Sequence, residues 1–110
     1  MSISIAGKTA IVTGAANGLG LAIARHFLAR GANVMCADLD EERLEEEFGG
    51  PANDEGEGPA RYFAGDLSQK LTIANLLSAT VDAFDRVDIL VNAARQVLRS
   101  DPLGDEGALE

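Results

Sequence analysis

The sequence predicts an α/β fold, a doubly wound parallel sheet of about four strands in the order 3-2-1-4. Three observations carry that prediction. Short apolar runs alternate with helically spaced segments between residues 8 and 91. A glycine-rich turn, Gly14 to Gly20, joins the first apolar run to the first helical segment. Aromatic residues make up only 5% of the chain and Trp is absent, so the core must be built from Ala, Val, Ile and Leu. Such runs are how strands covered on both faces read. Strands alternating with helices imply parallel pairing through right-handed crossovers.

Residues 8–13 read as the first strand, and 19–30 as a helix with Leu19, Ala22, Ile23 and Phe27 on one face. Gly31 is a plausible stop. Residues 33–37 form the second strand, which ends at Asp38. Asp40 caps an acidic helix over 41–48, closed by Gly49-Gly50. Residues 49–60 hold four glycines, two prolines and three acids, the composition of a mobile surface loop. The third strand is expected at 61–65. A helix over 69–85 follows, capped by Ser68, with Leu71, Ala74, Leu77, Val81 and Phe84 inward; the fourth strand is 87–91. The tail, 95–110, mixes charges with Pro102, Gly104 and Gly107 and has no sustained period, so it is expected to be irregular. Residues 1–94 are then one half-domain, in keeping with a length of 110 residues.

Net charge is −9. A nucleic-acid partner would meet repulsion rather than counterion release, and an anionic membrane would fare no better. No run approaches the ~20 apolar residues of a membrane helix, and Met1 to Gly7 lacks the pattern of a signal peptide. The single cysteine, Cys36, admits no intramolecular disulfide and reads as a small core residue. These features point to a cytoplasmic protein. One histidine, His26, and one cysteine make no metal site, and His26 reads as a helix-surface residue.

The chemistry concentrates in Thr13-Gly14-Ala15-Ala16-Asn17-Gly18-Leu19-Gly20, set between a strand and a helix. Gly14 permits a sharp turn, Gly18 a close backbone approach to a pyrophosphate, and Gly20 tight packing of helix on sheet. The N–H groups that open the helix then face the anion. Asp38 ends the second strand, 18 residues after Gly20. A carboxylate there accepts the ribose hydroxyls of an adenosine and repels a 2′-phosphate. No Arg or Lys occupies 15–17 or 39, and the nearest base, Arg43, falls on the acidic helix. The expected cofactor is NAD rather than NADP.

Taken in order and spacing, Thr-Gly-x-x-x-Gly-x-Gly at 13–20, Asp38, Asp66-Leu67 and Asn92-Ala93-Ala94 resemble the short-chain dehydrogenases/reductases, over about residues 5–103. The resemblance implies the NAD-binding half of a Rossmann-type domain. It implies a cofactor site of Gly14, Asn17, Gly18, Leu19, Gly20, Asp38, Leu39, Asp66, Leu67, Asn92, Ala93 and Ala94. In it Asp66 meets the adenine amino group and the Leu67 backbone the ring edge. Asn92 braces the fourth strand against the glycine turn with Thr13 as partner, and the 92–94 backbone follows the adenosine ribose.

Two departures stand out. The family's Asn-Asn-Ala-Gly is Asn92-Ala93-Ala94-Arg95 here, which brings bulk and charge beside the nicotinamide. The family's acid–base pair is Tyr-x-x-x-Lys with a Ser, but the only tyrosine, Tyr62, is followed four residues on by Asp66. The chain is therefore expected to be truncated and not competent alone: an NAD(H)-binding portion of an oxidoreductase or, as the alternative, a catalytically silent NAD(H)-binding or partner-recruiting module. The fourth strand has no Lys or Pro to protect a free edge, so a homo-oligomer built around 87–103 is expected.

Overall fold

The computed structural model describes residues 4–49 and 58–93. The elements run β1 (Thr9–Thr13), α1 (Gly18–Ala29), β2 (Asn33–Asp38), α2 (Glu41–Phe48), β3 (Ala60–Ala64), α3 (Lys70–Phe84) and β4 (Ile89–Asn92). The four strands form one sheet in the order β3-β2-β1-β4, and every pair is parallel. This is the order expected from the sequence. Most of the 49–60 loop and all of the 95–110 tail lie outside the described residues.

The period of two along the strands separates two core layers. Val12, Val34 and Cys36 pack with Ala24 of α1 and with Leu44 and Phe48 of α2. Ile11, Met35 and Ala37 point the other way and meet Leu76 of α3. Central strands β1 and β2 are thus buried on both faces, which is why their sequences are unbroken apolar runs.

Two helix faces differ from expectation. On α1 the residues that reach the sheet are Gly20 and Ala24, whereas Leu19 is 67% exposed and Ala22 is exposed as well. The cause is close approach: a Cβ on Gly20 would lie 2.0 Å from the Gly14 carbonyl oxygen. Small residues set that contact, and Ile23 and Phe27 flank it. On α3 the buried residues are Leu76 and Thr80, with Ala79, Ala83 and Phe84 alongside. Leu71, Ala74, Leu77 and Val81, expected inward, are exposed. The stripe seen in the sequence exists, but it is the neighbouring face that meets β1 and β2.

Helix ends follow local chemistry. Asp40 caps α2, its Oδ1 accepting the Arg43 N–H at 3.1 Å, and Glu41 and Glu42 suit the positive end of the helix dipole. Ser68 does not cap α3. Its hydroxyl donates to Asp66 Oδ1 at 2.7 Å, and the helix starts at Lys70 behind Gln69, which makes no side-chain cap bond. The helix closes at Phe84 because Asp85 takes a left-handed conformation, φ 68°.

Val87 and Asp88 precede β4 rather than belonging to it. Pairing with β1 begins at Ala10↔Ile89. Asp88 instead clasps the start of β1: its N–H donates to the Thr9 carbonyl at 2.8 Å, and its Oδ2 accepts the Thr9 N–H at 2.9 Å.

Candidate nucleotide-binding cleft

Parallel register brings the carboxyl ends of all four strands to one edge. Thr13 stands opposite both Ala37 and Asn92, and Asp38 stands opposite Ala64. A cleft of about 720 Å³ opens there, at the point where strand order reverses. Gly14, Asn17, Asp38, Leu39, Asp66, Leu67, Asn92 and Ala93 line it. The fold thus gathers residues spread over eighty positions of sequence. Gly18, Leu19 and Gly20 form the first turn of α1 rather than the cleft wall. Ala94 and Arg95 lie outside the described residues.

The glycine turn is shaped for an anion. Gly14 and Gly18 hold φ of 70° and 64°, values that a side chain disfavours. A Cβ on Gly18 would meet nothing within 4 Å, so open space lies beside that backbone. Asn17 occupies the N-cap of α1 without a side-chain hydrogen bond, and no acid sits in the first turn. The N–H groups of that turn, which no helix can satisfy internally, therefore retain the positive end of the dipole.

Asp38 is oriented by two backbone donors. Its Oδ2 accepts the Ala16 N–H and its Oδ1 accepts the Asp40 N–H, each at 3.1 Å. Each carboxylate oxygen accepts more than one bond, so the group can hold ribose hydroxyls while staying fixed to the protein. Asp66 is also held: Oδ1 accepts from the Ser68 hydroxyl at 2.7 Å and the Ser68 N–H at 3.0 Å. These bonds keep its carboxyl below the usual carboxylate range. The local turn with Ser68 and a seat at the cleft wall are both present. The Thr13 hydroxyl donates to Asn92 Oδ1 at 2.9 Å, and Ala93 N–H donates to the Thr13 carbonyl at 3.2 Å. The brace between β4 and the glycine turn is in place.

Sequence reasoning missed two components. One is the apolar wall of Ile11, Ile73, Leu76, Leu77 and Leu90. Helical spacing on α3 carried the signal: Leu77 stood in the stripe read as inward, whereas Ile73 and Leu76 lie on the adjacent one. The other is Arg43, whose Nε donates to the Ala16 carbonyl at 3.1 Å. A contact across 27 positions leaves no local pattern to find. Tyr62 lies away from the cleft, on β3 against the α1–α2 layer. Burial, with Glu45 and Glu41 adding to it, raises its phenol above the ordinary value, the opposite of what a tyrosine proton donor–acceptor needs at neutral pH. Among the described residues no group of three His, Cys, Asp or Glu side chains could hold a metal ion, and no helix is long and apolar enough to cross a membrane.

A parallel sheet with this order and a glycine turn at its switch point define a mononucleotide-binding α/β unit. The short chain dehydrogenase family pattern matches residues 8–103, and the chain belongs to that family. It is 39% identical over 104 residues to the short chain dehydrogenase/reductase dpmpG of Macrophomina phaseolina, covering 93% of this chain and 58% of that one. It is also 39% identical to the D-threitol dehydrogenase of Mycolicibacterium smegmatis over 91 residues, covering 80% of this chain and 33% of the relative. A crystal structure of a short chain dehydrogenase/reductase from Burkholderia phymatum in complex with NAD superposes with a TM-score of 0.71 at 27% identity, over 81% of this chain and 31% of that one. The chain spans between 31% and 58% of the length of these three proteins.

Proposed function

We propose that the chain is the NAD(H)-binding portion of a short-chain dehydrogenase/reductase-type oxidoreductase. The observation that carries this reading is Asp38, fixed by the Ala16 and Asp40 amides beside an α1 N-terminus that has no capping side chain. The residues present fit a dinucleotide. The backbone at Gly18 and the first turn of α1 bind the pyrophosphate, where a Cβ would intrude on open space. Asp38 accepts the adenosine ribose hydroxyls, with Leu39 beside it. Asp66 and Leu67 take the adenine edge, and the backbone at 92–94 follows the ribose. Asn92, tied to Thr13, keeps β4 seated against the glycine turn. When bound, the nicotinamide supplies the hydride acceptor or donor of the family's chemistry.

Acid–base chemistry is assigned to none of these residues. Tyr62 is the only tyrosine and it is built into the α1–α2 layer. The alternative reading, a catalytically silent NAD(H)-binding or partner-recruiting module, is supported by the apolar surface of α3 and β4. Residues 1–94 are read as the nucleotide-binding unit and 95–110 as a separate tail. A single cysteine held as a buried free thiol suits a cytoplasmic setting.

Calorimetric titration with NAD tests the proposal. Wild-type protein is expected to bind, and Asp38→Ala to lose about 1.5–3 kcal/mol, the worth of hydrogen bonds to a charged group. Equal affinity in the two proteins would contradict the assigned role of Asp38.

A further inference from the structure

A line of polar contacts runs from the outer face of α1 to the glycine turn. Arg25 on α1 pairs through Nη2 with Glu47 Oε1 on α2. The second oxygen of that carboxylate, Oε2, lies 3.4 Å from Nη2 of Arg43. Arg43 also reaches Glu46 Oε1 at 3.5 Å through Nη1. Its Nε donates to the Ala16 carbonyl at 3.1 Å, and the Ala16 N–H donates to Asp38 Oδ2 at the same distance. Ala16 is fully buried, whereas the Arg43 side chain is 42% exposed.

We propose that Arg43, held by Glu47, is a positioning residue for the adenosine ribose of the cofactor: it fixes Ala16, and through the Ala16 N–H it fixes the aim of the Asp38 carboxylate. The inference rests on the NAD reading of the cleft. The Ala16 N–H and carbonyl belong to successive peptide planes. With Asp38 on one and Arg43 on the other, rotation about both soft dihedrals of Ala16 is restrained. Restraint matters at this position because the turn runs between Gly14 and Gly18, the residues with most backbone freedom to lose. A guanidinium suits the task. It is planar and rigid, so one group engages the Ala16 carbonyl and Glu47 at once in fixed relative geometry, which a single ammonium on a flexible stem cannot reproduce. Partly exposed ion pairs of this kind contribute little to global stability, so the effect belongs in cofactor choice rather than in melting temperature. Glu46 and Glu47 also keep the Arg43 charge matched, away from the role of counter-ion to a 2′-phosphate.

The test compares Arg43→Ala and Arg43→Lys with Arg30→Ala, which removes the same charge outside this line of contacts. Two quantities are read on the full chain: hydrogen exchange at the Ala16 amide by NMR, and NAD and NADP affinities by calorimetry. Arg43→Ala is expected to speed Ala16 exchange and to weaken NAD binding about tenfold, the worth of one well-placed hydrogen bond. NADP affinity stays where it is, so discrimination between the two shrinks by the same factor. Arg43→Lys recovers only part of the loss, and Arg30→Ala changes nothing. A merely structural role would instead weaken both cofactors alike and speed exchange throughout α1 and α2. An unchanged ratio, or unchanged Ala16 exchange, in an Arg43→Ala protein whose wild type binds NAD would overturn the inference alone. A wild type that binds neither cofactor would overturn the NAD reading and the ribose role with it, and Ala16 exchange would still decide whether Arg43 holds the turn.

Discussion

Cys36 lies mid-strand in β2, opposite Val12 on one side and Tyr62 on the other, and is fully buried. Burial pushes its thiol up to about 12, with Arg25 opposing only in part. The thiolate is the reactive form, so native protein at neutral pH is expected to resist alkylation, with labelling that appears only as the chain unfolds in urea. Rapid stoichiometric labelling of folded protein would contradict this burial. The linkage has a definite sign. The folded value is raised, so the contribution to stability is complete below the unfolded thiol's ~8.5 and is lost as pH climbs toward the folded value. Single residues differed in how far the sequence exposed them. Asp38 and the Asp40 cap were legible because each acts on backbone within its own neighbourhood, or at a fixed offset from a glycine turn. Arg43 was legible as the nearest base but not as a contact of Ala16, since nothing local records a bond between α2 and the glycine turn.

Among the elements, β1 and β2 were legible because burial on both faces leaves an unbroken apolar run. The helices were placed within about one residue at most ends, while their inward faces were read only in part: Ile23, Phe27 and Phe84 do pack on the core, whereas Leu19, Leu71, Leu77 and Val81 are exposed. On α1 the contact is made by Gly20 and Ala24, and small residues score poorly in any search for an apolar stripe. On α3 two adjacent apolar stripes compete, and only the docking of Leu76 onto Ile11 and Met35 decides between them. The start of β4 was read two residues early because Val87 and Asp88 continue the run. Asp88 does other work there, joining Arg86 by two 2.8 Å bonds and accepting the Thr9 N–H. The Arg86 bond, then the Thr9 amide, holds its carboxyl below the ordinary value. A depressed folded value gives stability that is present above the unfolded carboxyl's ~3.9 and is lost as pH falls through the folded value. Urea midpoints of wild type and Asp88→Asn are therefore expected to converge as pH falls from 6 toward 3, with wild type the more stable at pH 6. Curves that stay parallel across that range would show that the Asp88 charge does nothing for the β1–β4 junction.

At the scale of the molecule, the two faces of the sheet are unequal. Among the described residues α1 and α2 cover one face, whereas α3 alone covers the other and leaves Leu77, Val81 and Leu90 exposed. β4 pairs only with β1 among the described strands, so its second edge is free in this sheet. Exposed apolar surface of this kind favours association. Sedimentation equilibrium at micromolar concentration is expected to find a dimer or larger species, and Leu90→Lys to shift it toward monomer. A wild-type monomer would contradict this expectation.

On the NAD reading, the cleft at the strand ends selects its cofactor by means of Asp38. Calorimetric titration of the wild-type chain with NAD and with NADP, in the same buffer, tests it most directly. Tighter binding of NAD is the result predicted, because a 2′-phosphate would face a fixed carboxylate and an Arg43 whose charge is already matched by Glu46 and Glu47. Binding of NADP as tight as that of NAD, or tighter, would contradict it.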